Sequence, residues 1–102
     1  PLAVRVRYKT SNGKQLTDTE QSNIIAEIKD LSETFSINST IFNIQLVSSV
    51  ISVVDISRFS SLQVQIKDEA EADSAYNTND LTPDTTEIGV IAEDNITFLQ
   101  IL

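Results

Sequence analysis

The side chains best suited to chemistry in this sequence are the oxygen ligands that follow residue 67. They are Asp68, Glu69, Glu71, Asp73, Asn77, Asn79, Asp80 and Asp84. Calcium takes about six to eight oxygen ligands, and a continuous calcium-binding loop makes its sharp turn at a glycine. No glycine lies between Gly13 and Gly89, and the acids do not have the spacing of such a loop. We therefore predict no metal site and interpret residues 68–87 as an acidic surface loop.

The sequence contains few residues that are suited to catalysis. The sequence contains no cysteine and no histidine, which excludes thiol nucleophiles, disulfides and zinc–thiolate sites and removes the commonest general base. A serine nucleophile would need another base beside it, and Lys29 and Lys67 are candidates only by elimination. The only two glycines, Gly13 and Gly89, are too far apart to form a glycine-rich phosphate loop. We therefore predict that the protein is not an enzyme and uses no cofactor and no small-molecule substrate.

The charge of the chain is distributed unevenly. The net charge is −8; residues 1–14 contain four basic residues and no acid, whereas residues 68–102 contain nine acids and no base. Such an acidic protein repels phosphate backbones, so we expect no nucleic acid as a partner. No stretch approaches the roughly 18 apolar residues of a membrane span, so we expect no membrane either. The missing signal-peptide pattern favours a cytosolic setting, and the start at Pro1 suggests a processed chain or a piece of a larger one.

Alternation over residues 3–9 predicts the first strand. The apolar set is Val4, Val6 and Tyr8, and the basic set is Arg5, Arg7 and Lys9. Period-two alternation with one charged face is typical of a half-buried strand. We interpret its basic face as the solvent-facing side of a sheet edge guarded by cations. The Asn12-Gly13 pair marks a turn after this strand.

Two helices are predicted in the middle of the chain. Thr17 and Glu20 fit a capping box, and apolar residues recur behind them at helical spacing, which predicts an amphipathic helix over residues 18–36. A second helix is predicted over residues 45–52, where the β-branched residues make a strand the rival interpretation. Alternation returns at Ser60 and predicts a second strand as far as Lys67.

Two more strands are predicted at the end of the chain. Residues 88–92 and 96–101 are apolar runs separated by an acidic break, which is typical of a hairpin. The last run is apolar on both faces, so Leu99 and Ile101 are candidates for contact with another chain. The element order β-α-α-β-loop-β-β predicts a single α+β domain over residues 1–102. We expect two layers, with two helices packed on a small, mostly antiparallel sheet.

Several segments together carry a resemblance to a known family. They are Val4–Lys9, the Asn12-Gly13 turn, the capped helix ending near Phe35, and Leu46–Asp55. In their order the chain resembles the C-terminal portion of baseplate J-like wedge proteins of contractile-tailed phages. The closing segments Glu87–Ile91 and Asn95–Phe98 are similar to the terminal strands of that family. The chain departs from the family pattern at two places, because the usual glycines are missing from 51–56 and from the connection at 38–43.

The resemblance implies a structural role without catalytic residues. A domain of this kind would belong to a wedge subunit that self-associates and contacts neighbouring baseplate subunits in the virion tail, after assembly in the cytoplasm of the bacterial host. The candidate partner contacts are Arg5, Arg7, Lys9, Leu99 and Ile101. Reversal of Arg5 and Arg7 to glutamate is expected to weaken assembly without unfolding the domain. The alternative is a small acidic binding module that holds calcium or imitates a nucleic-acid surface.

Overall fold

The computed structural model describes residues 1–83 and 89–101. In chain order its elements are β1 (Leu2–Thr10), α1 (Asp18–Ser32), α2 (Asn43–Ile51), a 3₁₀ turn (Ile56–Arg58), β2 (Phe59–Asp68), a second 3₁₀ turn (Asp73–Ala75) and β3 (Ile91–Gln100). The helices pack against the sheet and share its core, which confirms the predicted two-layer α+β fold. The helix predicted over 45–52 is confirmed as α2, so the rival strand is excluded.

β1 is the central strand of the sheet, whose order is β2-β1-β3. β2 pairs with β1 in antiparallel orientation, with Val64 opposite Val6. β3 pairs with β1 in parallel orientation, with Phe98 opposite Val6, so the sheet is mixed where the sequence predicts a mostly antiparallel one. The interpretation of β1 as a sheet edge is therefore wrong. Its alternation arises because the helices cover only one face of the sheet, and this pattern is the same for a central strand and an edge strand.

The predicted C-terminal hairpin is wrong within residues 91–100. These residues form one strand that continues through Glu93 and Asp94. The register with β1 shifts between Ile91 and Ile96, so the acids occupy an irregular stretch of the strand instead of a turn. The residues of the prediction that lie outside the described part of the chain are Asp84 and Glu87 of the acidic loop, Ile88 at the start of the hairpin, and the other positions in 84–88.

Sheet and helices share one hydrophobic core. Val4, Val6 and Tyr8 point into it from β1, as their alternation predicts, and all three are buried. Ile24 and Ile28 of α1, four residues apart on one helix face, are fully buried against the same core. Burial of each aliphatic side chain contributes about 1.5–3 kcal/mol. The helices thus cover the apolar face of β1 and leave its basic face without a helical layer.

The predicted capping box forms at the start of α1. Thr17 Oγ1 accepts a hydrogen bond from the Glu20 amide at 3.1 Å, and the Glu20 carboxylate accepts one from the Thr17 amide at 2.9 Å. The same carboxylate binds the guanidinium of Arg58 at 3.1 Å, just before β2 begins. The hydrogen bond from the Thr17 amide, followed by the one from Arg58, holds the pKa of Glu20 below its ordinary value. This carboxylate therefore joins the start of α1 to the start of β2.

Candidate interaction surface

The sheet face that the helices leave uncovered brings together the candidate contact residues. Arg5, Arg7 and Lys9 alternate with buried residues along β1 and are half-buried or exposed. Leu99 lies beside Arg7 in the register of the parallel pair. Ile101 continues the last strand beside Lys9, because its amide donates to the Tyr8 carbonyl at 2.7 Å. We call these five residues the open face.

Arg5 is held by the loop that follows β2. Its Nε donates to Gln65 Oε1 on the neighbouring strand at 2.9 Å, and its guanidinium carbon lies 4.4 Å from the centre of the Tyr76 ring. A guanidinium over an aromatic ring gains about 0.5–2 kcal/mol. Reversal of Arg5 would therefore disturb the fold as well as the surface. For this reason Arg7, and not the pair Arg5 and Arg7, is the residue with which to test assembly.

Lys67 fixes the same loop through its backbone. This side chain is buried, and the residue is only 6% exposed. Its ammonium donates to the carbonyl of Glu71 at 2.8 Å, and more weakly to those of Glu69 at 3.3 Å and Asp68 at 3.4 Å. It also lies 5.1 Å from the centre of the Tyr76 ring. Its hydrogen bonds go to backbone carbonyls of the loop, so Lys67 acts as a structural cation that holds the loop in place.

The acidic loop is fastened further along its length. Asn77 exchanges both of its backbone hydrogen bonds with Ile66 of β2, at 2.9 and 3.2 Å. Asp80 Oδ1 accepts a hydrogen bond from the amide of Asn43 at 2.8 Å, at the N-terminus of α2. A carboxylate is favourable at that position because the helix dipole is positive there. Asp80 thus caps a helix, and no three acidic side chains of residues 1–83 and 89–101 lie close enough together to hold a metal ion.

The half of the open face next to β3 has no cover. Arg7 Nη1 donates to Gln63 Oε1 at 3.0 Å, and neither Arg7 nor Lys9 forms an ion pair with a carboxylate of the described residues. Leu99, on the neighbouring strand, is 42% exposed. An exposed apolar side chain beside cations that lack counter-charges is suited to binding another protein surface.

The outer edge of β2 is covered by the chain itself. Asn77 satisfies both outward backbone groups of Ile66, as described above. The carbonyl of Val64, the next outward residue, accepts a hydrogen bond from the Asn43 side-chain amide at 2.7 Å. Near the acidic loop, this edge of the sheet therefore has few backbone groups free to form hydrogen bonds with a strand of another chain.

The outer edge of β3 is open. Because the Ile101 amide points towards β1, strand alternation turns the N–H and C=O groups of Ile96, Phe98 and Gln100 away from β1. These backbone groups have no hydrogen-bond partner within residues 1–83 and 89–101. We call this row of three residues the open edge, and it adjoins Leu99 of the open face.

A groove of about 500 Å³ lies between α1 and α2, away from the open face. Its walls contain Leu31, Ile44 and three serines, with Glu27 as the one ionisable residue among them. Lys29, the other base suggested by elimination, lies 4.0 Å from the carboxylate of Glu33 on the same helix. The groove therefore has neither Lys29 nor Lys67 in its walls, and Glu27 is the only ionisable side chain among the residues that line it.

No protein-family model matches this chain, and no curated protein matches it either. Of the helices found in residues 1–83 and 89–101, none has both the length and the hydropathy needed to cross a membrane.

Sequence reasoning missed the residues that cover part of this surface. The sequence predicts Tyr76 only as a member of a surface loop, Asn77 as a possible oxygen ligand in that loop, and Lys67 as a strand residue and a base by elimination. The available signal was Tyr76 itself, the one aromatic residue in an otherwise polar and acidic segment. Such a residue needs a partner surface, and the cations Arg5 and Lys67 provide it.

Proposed function

We propose that this domain is a structural assembly module that binds other protein chains, including copies of itself, through the open face and the open edge. Following the resemblance to baseplate J-like wedge proteins, we place it in the tail baseplate of a contractile phage, with other wedge subunits as partners. Assembly in the bacterial host cytoplasm belongs to the same proposal.

The observation that supports this proposal is the position of the five candidate contact residues. They lie on the sheet face that the helices leave uncovered, directly beside a strand edge whose backbone groups have no partner in the described residues. Leu99 supplies apolar area, and Arg7 and Lys9 supply charge that has no counter-ion within residues 1–83 and 89–101. Apolar burial gives affinity at such a surface, whereas charge sets partner choice and register.

Light scattering over about a hundredfold range of concentration tests this function, because self-association depends on protein concentration. We expect the mass to rise above the 11.3 kDa of one chain. Arg7→Glu is expected to weaken this association, whereas Lys29→Glu, which makes the same charge change on α1, leaves it unchanged. A strictly monomeric protein at every concentration would overturn the proposed function.

A further inference from the structure

The open edge offers a complete hydrogen-bonding surface to another strand. Ile96, Phe98 and Gln100 direct their N–H and C=O groups outward along one row. In antiparallel pairing, facing residues of this kind exchange two hydrogen bonds per pair. The row is symmetric about Phe98, so an identical row running in the opposite direction satisfies all of its groups.

We infer that β3 pairs with β3 of a second copy of this chain in antiparallel orientation, about a two-fold axis near Phe98. This inference rests on the proposed function and names its partner and its contact. Ile96 of one copy then faces Gln100 of the other, and the two three-stranded sheets become one continuous sheet of both copies. The two open faces join across the same axis, because adjoining strands of one sheet share their faces.

Charge complementarity favours a second copy as the occupant. The beginning of β3 carries Glu93 and Asp94, which are exposed and form no ion pair among the described residues. The end of β3 lies beside Lys9, because the Ile101 amide donates to the Tyr8 carbonyl. It also lies near Lys14, because Gln100 Nε2 donates to the carbonyl of the preceding residue, Gly13, at 3.1 Å. Antiparallel pairing brings the acidic beginning of one β3 to the basic end of the other. A two-fold axis repeats this attraction at both ends of the contact.

The composition of the strand also agrees with a paired edge. Exposed edge strands are usually protected by charged residues, proline or a bulge that prevents further pairing. The irregular stretch of β3 ends at Ile96, and residues 95–101 contain neither a charged residue nor proline. The protective features thus stop where the outward row begins.

A matched pair of substitutions at Gln100 tests the contact. Gln100→Pro removes the outward N–H, and a proline is tolerated at an edge position whose N–H is not used within the sheet. Gln100→Ala also loses the side-chain bond to Gly13 but keeps the N–H. We expect Gln100→Pro to raise the dimer dissociation constant about tenfold or more, while Gln100→Ala changes it by less than about twofold. Equal dissociation constants for the two variants would overturn the inference.

A charge-swap experiment provides a second test that does not depend on proline. One variant carries Glu93→Lys with Asp94→Lys, and the other carries Lys9→Glu with Lys14→Glu. Each alone is expected to be monomeric at concentrations where the unchanged protein is dimeric, because like charges then meet at both ends of the contact. An equimolar mixture is expected to restore a dimer containing one copy of each, detected by native mass spectrometry. A mixture that stays monomeric would overturn the inference.

The outcomes distinguish this inference from the proposed function. If the unchanged protein is monomeric at every concentration, both fail. If it associates and Arg7→Glu weakens the association, but neither Gln100→Pro nor the charge-swapped variants alter it, the copies meet through the open face and not through β3. In that case the proposed function stands and the pairing of β3 is overturned.

Discussion

Along β2 the chain covers its own sheet edge, whereas along β3 it leaves the edge open. At β2, Asn77 and Asn43 satisfy the outward groups of Ile66 and Val64, and Lys67 binds the carbonyls of the loop that lies there. At β3, the outward groups have no partner in the described residues. Both strands flank the same central strand, so the difference does not come from the position in the sheet.

The comparison shows that edge protection in this fold depends on individual polar residues. A buried ammonium and two asparagines hold a loop against β2, although that loop is strongly acidic and mostly exposed. Glu69 and Glu71 contribute little to this arrangement through their carboxylates, since Lys67 binds their backbone carbonyls and leaves those carboxylates in solvent. The loop therefore covers one edge while keeping its negative charge at the surface.

The largest change to the covered edge is expected from Lys67→Met. Loss of the ammonium removes its hydrogen bonds to loop carbonyls, and hydrogen bonds of charged groups contribute about 1.5–3 kcal/mol. We expect urea denaturation to show a loss of this size in the free energy of unfolding. Lys9→Met, which removes the same charge from an exposed position on β1, is the control and should change stability by less than about 0.5 kcal/mol. Equal losses in the two variants would contradict this role of Lys67.

A smaller effect is expected from Asn43→Ala, which exposes the carbonyl of Val64. The side-chain amide of Asn43 donates to that carbonyl at 2.7 Å, and one such hydrogen bond contributes about 1 kcal/mol. Asn23→Ala, at an exposed position of α1, controls for the higher helix propensity of alanine. Thermal denaturation is expected to show a lower Tm for Asn43→Ala than for Asn23→Ala. No difference between the two would show that the Val64 carbonyl needs no cover.

The smallest expected effect concerns pH and the start of β2. The pKa of Glu20 is lowered in the folded state from its ordinary value of 4.5, so its ionised form stabilises the fold. This contribution is complete above that ordinary value and is lost as the pH falls through the lower folded-state pKa. We expect the difference in the free energy of unfolding between the unchanged protein and Glu20→Gln to shrink as the pH falls from about 6 to about 2.

A double-mutant cycle of Glu20→Gln with Arg58→Gln isolates the pair from other titrating groups. Its coupling energy is expected to fall over the same pH interval. A coupling energy that does not change with pH would contradict the assignment. The association of copies through β3 is expected to be unaffected by either substitution, because Glu20 belongs to α1 and Arg58 to the 3₁₀ turn before β2.

Local features of the fold could be predicted from the sequence, and non-local ones could not. The alternation in β1 and the Thr17–Glu20 capping box depend only on residues close together in the sequence, and both are confirmed. The helix α1 ends at Ser32, earlier than the predicted residue 36. Ser32 Oγ donates to the Lys29 carbonyl and Thr34 Oγ1 to the Leu31 carbonyl, at 2.7 Å each, and such bonds compete with further helical turns.

The sequence could not predict which strands pair with β1. The acidic break at Glu93 and Asp94 has the composition of a turn, but the parallel pairing with β1 keeps it within one strand. The same limit applies to the candidate surface. Alternation placed Arg5 and Arg7 on one face, but only the path of the loop shows that Tyr76 lies over Arg5 while Arg7 has no such cover.

The central position of β1 has a consequence for how the chain folds. Within this domain β1 precedes both of its partners in the sequence and is paired on both sides by strands from the second half of the domain, with Tyr8 opposite Leu62 on one side and Gln100 on the other. Contacts so distant in sequence delay folding, because the intervening chain must close before they form. α1 can form early from local signals, whereas the apolar side of β1 waits for nearly the whole chain. Synthesis of β3 is thus the event that completes this sheet.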